Sequence, residues 1–384
     1  MENIDPILNI RSLNGTNCYF RISNCNISLA NALRRTIISD IPNVVFKTDE
    51  KYNGVFYKFD INTTRYNNEF LKQRLSCIPI NLNIDDKFDN LEFHVDLTNN
   101  TDSILDVTTE NFSIYDTITE NYIDKTIVHK ILPPNSITQD FILFAKLKPK
   151  INDDISGEKL KFMIKPQIGT AKENGCFNVV STSTYLMTPD EARQKYEWEK
   201  IQDNLSLNTD TDIDIENEKI NWYNLEAKRI TIPNSYDFHV ETIGILHPQN
   251  IIRDACSILI EKISNYIQIV NNNNLQINDS ESTMEYCYDI IFDNNMTTTL
   301  GKVFEYIGYS LFYENNNIIS FICYKKIHPH DNHSILRLTF NIDKITQETE
   351  NLDEFMKTFI NDRFLDICHK SISLFDKIYS QITI

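Results

Sequence analysis

Between residues 27 and 42 the apolar positions recur at three- and four-residue steps. Leu29, Ala32, Leu33, Thr36 and Ile37 share one face of the predicted helix, with Ala30 and Ile41 beside it. Asn26 or Ser28 can cap its start, and Pro42, which lacks a backbone donor, stops it. The other face carries Asn31, Arg34 and Arg35 with the apolar Ile38 between them. An Arg pair on a helix is ordinarily a solvated face. Here, however, an apolar residue is bracketed by two guanidinium forks, which is the composition of a protein–protein contact: Arg supplies apolar stem area as well as bidentate hydrogen bonds. Upstream, residues 7–23 read as a hairpin, with Leu8 and Ile10 before an Asn14-Gly15 turn and a return strand alternating around Phe20 and Ile22.

From about residue 49 to 168 the pattern changes to short β-like runs separated by polar loops. Within it, Asn68–Ile80 has helical spacing, with Phe70, Leu71 and Leu75 on one side. A strand is expected at Phe177–Met187. Residues 188–220 are polar, and 188–236 reads as an exposed acidic excursion within the first domain; Asp203 to Glu218 holds six acids and no Lys or Arg. After the strand Phe238–Leu246, Pro248 opens a helix whose stripe is Ile252, Ala255, Leu259, Ile263, Tyr266 and Val270, about six turns long. The Asn271–Asn274 run begins a linker taken as 271–285.

The order then repeats. Tyr288–Phe292 reads as a strand, and the next stretch as a helix striped by Leu300, Val303, Phe304 and Ile307. Ile318–Tyr324 and Ser334–Ile342 read as strands, the second alternating Leu336, Leu338, Phe340 and Ile342 against Arg337, Thr339 and Asn341. A long last helix starts near Leu352, lined by Phe355, Met356, Phe359, Ile360, Phe364, Ile367, Leu374, Phe375 and Ile378.

Composition narrows the function. The 384 residues suffice for two or three domains, and 41% hydrophobic with 24% charged residues is globular. A net charge of -17 excludes a stand-alone nucleic-acid binder. Residues 1–48 run against this trend, with five Lys/Arg against three acids. The eight cysteines include no C-x-x-C pair, so neither a zinc site nor a disulfide framework is expected, and they read as reduced thiols. No secretory signal or membrane-length apolar run is seen. No glycine loop of nucleotide-binding order occurs, and no cofactor is expected.

Five stretches resemble one family in family order: the alpha-type assembly subunits of RNA polymerase. They are Leu29-Ala30-Asn31-Ala32-Leu33-Arg34-Arg35 with Pro42; Asn68-Glu69 leading to Arg74-Leu75 and Ile78-Pro79-Ile80; Phe238–Pro248; Thr299-Leu300-Gly301; and Tyr324-Lys325-Lys326-Ile327-His328-Pro329. Thr298 and Lys302 depart from the family's His and Asn, and Phe177–Val180 matches only loosely. The resemblance implies an α+β fold of two alpha-type dimerisation units packed about a pseudo-two-fold axis. Residues 1–48 and 169–270 would form the first unit, like the archaeal D-type and eukaryotic third-largest subunits. A mainly β domain, 49–168, would interrupt it, without the cysteine-bound metal some relatives carry, since Cys77 has no partner cysteine between 26 and 175. Residues 286–384 would form the second unit, like the archaeal L-type and eukaryotic eleventh subunits.

The same resemblance implies a non-catalytic scaffold of a multisubunit DNA-directed RNA polymerase. Asn31, Arg34, Arg35 and Ile38 would hold the second-largest subunit, and Arg74 would orient the inserted domain. Thr299, Leu300, Gly301, Lys325, His328 and Pro329 would lie toward the largest subunit. Small subunits of the tenth and twelfth type would also bind, DNA only through the complex, and no membrane. Taken with the fusion of two units, the Asn-rich composition and the missing metal, the resemblance implies a large cytoplasmic DNA virus as the source. The chain would then work in the host cytoplasm, in the viral factory, and be packaged in the virion.

Two other readings stay open: a viral adaptor with the same paired fold, and an enzyme using Cys323 with His328 and His330. The Asp210, Asp212 and Asp214 run superficially resembles a metal-chelating triad, but lacks the glycine to turn such a loop and reads as surface. His328, His330, His333 and Asp331 could hold a metal, although Pro329 and Asp331-Asn332 describe a turn between strands.

Overall fold

The computed structural model describes residues 5–49, 56–150, 152, 157–207, 215–293, 296–345 and 352–382. The chain begins β1 (Ile7–Asn14), β2 (Asn17–Ser23), α1 (Ile27–Ser39), β3 (Pro42–Val45), β4 (Tyr57–Asn62) and α2 (Asn68–Ser76). It continues β5 (Leu91–Thr98), β6 (Leu105–Thr108), β7 (Ser113–Asp116), β8 (Asn121–Tyr122), α3 (Lys125–Ile131), β9 (Leu143–Leu147), β10 (Lys159–Ile164) and β11 (Gln167–Thr170). Next come β12 (Val180–Pro189), α4 (Glu191–Leu207), α5 (Ile215–Asn224), β13 (Thr231–Thr242) and α6 (Pro248–Asn271). The last are β14 (Gln276–Asp279), β15 (Cys287–Phe292), α7 (Thr298–Gly308), β16 (Ile319–Lys325), β17 (Ser334–Phe340) and α8 (Leu352–Ser380). The fold is α+β.

The chain divides into two compact units. One comprises Met1–Ile37, Thr182–Glu241 and Pro248–Ile384; the other comprises Ile38–Ser181 and Thr242–His247. The first unit contains two four-stranded sheets, ordered β1-β2-β13-β12 and β14-β15-β17-β16. β1 and β2 form the expected hairpin, but its two turn residues are Gly15 and Thr16, with Asn14 paired to Asn17. Gly15 has φ 52, a backbone region where a side chain would be strained. Cys18, Phe20 and Ile22 alternate into the core, and Phe20 stacks on Phe238 of β13 at 4.8 Å. Helices α6 and α8 pack along one another, and α7 packs on both β16 and α8. The α6 stripe is buried as its period requires, and Phe364 of α8 is fully buried between the rings of Phe292 and Phe304, at 5.5 and 5.3 Å.

Three elements differ from the sequence reading. The acidic excursion folds back on itself: α4 packs on α5, burying Trp198 against Trp222 and Tyr223, and Gln194 Nε2 donates to the carbonyls of Ala227 and Ile230. Asp203, Glu216 and Glu218 are exposed, while Trp198, Trp222 and Tyr223 close on one another. The linker contributes a strand, because β14 pairs with β15 through Ile277, whose side chain is buried. β17 is covered on both sides rather than alternating, as a central strand is, and it ends at Phe340.

The second unit holds a five-stranded sheet, β4-β10-β5-β7-β8, and two strand pairs, β6-β9 and β11-β3. Phe46, Leu71, Leu75, Phe93, Phe144 and Phe162 are among the residues of its core. It reaches beyond the expected 49–168 because β3 pairs with β11 and delivers Val44 and Phe46 into that core.

Candidate partner-binding surface

Asn26 caps α1, its side chain accepting from Ser28 N at 2.8 Å, and its carbonyl takes the first helical bonds from Leu29 and Ala30. Leu29, Ala30, Ala32, Leu33, Thr36 and Ile37 are buried, and the helix ends at Ser39, before Pro42 is reached. Along the outer face run Ile27, Asn31, Arg34, Arg35 and Ile38, which the 3.6-residue repeat sets on one side. Ile27 is 44% exposed and Ile38 38%. Asn31 Oδ1 receives both Arg34 Nε (3.1 Å) and Nη2 (3.0 Å), so the half-buried guanidinium is held in one orientation along the helix. Arg35 is exposed. Ser183 of β12 donates to the Arg34 carbonyl at 3.2 Å, tying this turn of the helix to the neighbouring strand. Ile27 is the member of this face that sequence reasoning missed. Its signal was available, since it stands four residues before Asn31 and eleven before Ile38.

Arg74 is committed within its own unit. Its Nε donates to the Phe144 carbonyl at 2.7 Å and its Nη2 to the Leu143 carbonyl at 2.5 Å, with the guanidinium over the Phe70 ring. It braces α2 against β9, and this fork faces backbone of the same chain rather than a partner.

The third group separates into two layers. Leu300 is 1% exposed, and a Cβ on Gly301 would come within 2.3 Å of the Tyr324 ring. Leu300 and Gly301 therefore build the core beneath a surface, because α7 needs a glycine to lie flat on β16; neither side is open to a partner. Thr299 is half-buried, while Lys325, His328 and Pro329 are exposed at the turn after β16. Asp331 Oδ2 accepts from His328 N, Asp331 N donates to the His328 carbonyl, and His328 Nδ1 accepts from His330 N at 3.2 Å. These bonds define a turn. Among the described residues no group of three or more His, Cys, Asp and Glu is placed to hold a metal. Asp210, Asp212 and Asp214 lie outside the described residues.

Four thiols of the first unit are withdrawn from nucleophilic chemistry. Burial pushes Cys18 up to about 11 and Cys25 to about 12, and raises Cys256 and Cys368 further, so all four are neutral packing groups near pH 7. Cys323 Sγ turns toward the carbonyl of Tyr324, at 3.7 Å. No helix among the described residues is long and apolar enough to cross a membrane.

The chain is α+β, with a capped helix presenting arginines and isoleucines outward and two four-stranded sheets each packed with helices. Residues 19–263, more than half of the chain, match the RNA polymerase Rpb3/Rpb11 dimerisation domain, and the chain belongs to that family. Its fold is thereby of the alpha type. It is 28% identical over 207 residues to the DNA-directed RNA polymerases IV and V subunit 3B of Arabidopsis thaliana, covering 48% of this chain and 58% of the relative. It is 33% identical over 75 residues to subunit 3 of the polymerases II, IV and V of the same plant, covering 20% and 21%. A conjugation stage-specific protein of Tetrahymena thermophila is 24% identical over 197 residues, covering 48% and 60%. The chain thus spans three fifths or less of the length of these relatives.

Proposed function

We propose that this chain is a non-catalytic assembly subunit of a multisubunit DNA-directed RNA polymerase, in which a third-subunit-like module and an eleventh-subunit-like module are joined in one polypeptide. Support for the fusion comes from the second sheet with α7 and α8, which lies outside the family match and repeats the four-stranded order of the first. Joining the modules makes their docking intramolecular, with only residues 272–275 between α6 and β14. The two modules would be related by a pseudo-two-fold axis through α6 and α8.

The observation that carries this reading is the outer face of α1, where two exposed isoleucines flank Asn31, Arg34 and Arg35. This face would hold the second-largest catalytic subunit, with isoleucine area for burial and arginine forks for carboxylates. Lys325, His328 and Pro329, beside Thr299, would face the largest. Small subunits of the tenth and twelfth type would complete the assembly, and DNA would be met only through the complex. A viral origin, with action in the host cytoplasm and packaging in the virion, accords with the fused modules.

The test is recovery of the large polymerase subunits with tagged Arg35→Glu chain, with Ile38→Asp as a second variant. Each should lose co-purification while its thermal unfolding stays that of the wild type. Unchanged recovery would sink the assignment of this face. Wild-type chain running apart from any RNA-synthesising complex on size exclusion would favour an adaptor instead.

A further inference from the structure

Cys77 and Cys176 come close together in the second unit, although four strands of its five-stranded sheet lie between them in the chain. A short piece of chain after β3 brings them together. Lys47 Nζ reaches Glu173 Oε2 at 2.6 Å, and the next residue, Thr48, shares a 2.7 Å hydrogen bond with Ser76 Oγ. The same segment meets Phe177, since a Cβ on Gly169 would touch the side chains of Val45, Phe177 and Lys47 together. Residues on both sides of Cys176, and the one before Cys77, are thus pinned to residues 45–48.

Cys77 is the exposed cap of α2, its N–H directed at the carbonyls of Arg74 and Leu75. Cys176 is half-buried in the turn Gly175–Phe177, its N–H accepted by Asn174 Oδ1 at 3.2 Å. The Cys77 side chain lies close enough to act on the Cys176 thiol. Of the other six cysteines, five are buried and Cys323 is half-buried. Cys176 stands one residue beyond the 26–175 stretch in which Cys77 has no partner cysteine.

We propose that Cys77 and Cys176 form a dithiol that closes to an intramolecular disulfide when the folded chain meets a disulfide oxidant such as oxidised glutathione, clamping the end of α2 to the turn before β12. The exposed Cys77 thiolate attacks one sulfur of the oxidant, expelling a glutathione thiolate and leaving a mixed disulfide. Cys176 then gives its proton to solvent and attacks Cys77 Sγ, expelling the second glutathione. Two protein thiols lose two electrons and two protons; one glutathione disulfide becomes two thiols. Burial, together with neighbouring Cys77 and Asp49, pushes Cys176 up to about 11, which suits it to the resolving step rather than the first attack. The inference is independent of the polymerase role.

The experiment treats native full-length chain with oxidised glutathione, quenches with an alkylating agent and maps the linked peptides. A Cys77–Cys176 cross-link should form at least tenfold faster than any other pair and reverse with dithiothreitol. In chain unfolded in urea that preference should vanish, which shows that the folded geometry supplies it. Cys77→Ser and Cys176→Ser should each abolish the link, and Cys176→Ser should retain a stable glutathione adduct on Cys77. Separate glutathione adducts on both residues of the native wild type, without the link, would overturn the proposal, as would either cysteine pairing preferentially elsewhere.

Discussion

Asp289 of β15 and Arg337 of β17 stand directly opposite one another in the second sheet, joined by two hydrogen bonds of 2.7 Å each. The first sheet repeats the relationship on its own central pair, where Arg21 of β2 faces Asp237 of β13 through bonds of 2.5 and 2.9 Å. A carboxylate and a guanidinium on neighbouring central strands make a planar, two-bond pair that fixes strand register, because a one-residue slip would part them. Each module thus carries its own register lock.

Removal of either carboxylate should cost stability in proportion to burial. Asp289 is 10% exposed and Arg337 18%, so Asp289→Asn, which leaves a mostly buried guanidinium unpaired, should destabilise by about 3 kcal/mol in denaturant unfolding. Asp237 and Arg21 are 27% and 24% exposed, and Asp237→Asn should cost about 1–2 kcal/mol.

The same pair predicts a pH dependence. Arg21 beside it holds the Asp237 carboxyl below its ordinary value, so the unfolded chain binds this proton more readily than the folded one. The stabilisation is complete above the ordinary aspartate range and is lost as pH falls through the lowered value. Wild-type stability should therefore fall more steeply than that of Asp237→Asn below roughly pH 4, measured by unfolding at a series of pH values.

Gly301→Ala places a methyl group in the plane of contact between α7 and the Tyr324 ring, which is 3% exposed and cannot swing aside. The overpacking should cost about 1–3 kcal/mol. Trimming the ring with Tyr324→Leu should make the second substitution less costly in the double variant than alone, a positive coupling in a double-mutant cycle.

Arg74→Met keeps the stem and removes the fork, leaving the carbonyls of Leu143 and Phe144 without its hydrogen bonds. A loss of about 1–3 kcal/mol and faster amide exchange along β9 are expected. Recovery of partner subunits should stay at the wild-type level, which separates an internal brace from a contact residue.

Much of the architecture could be read from periodicity, since long amphipathic elements advertise themselves: the hairpin, the α1 stripe, and the helices α6 and α8 all stand where apolar spacing put them. Elements stabilised by remote partners were not legible. β14 is a strand only because β15 lies beside it, and α4 and α5 hold together through Trp198 and Trp222 in a stretch whose composition otherwise reads as solvated. The α1 face could be traced from residue types and helical geometry. The depth of Leu300 and Gly301, the inward commitment of Arg74 and the meeting of Cys77 with Cys176 could not be traced in this way. Local spacing determines which way a side chain leaves its own helix or strand. What it meets there depends on residues far along the chain, and only the tertiary fold decides whether that neighbour is solvent, a carbonyl, a ring or another thiol.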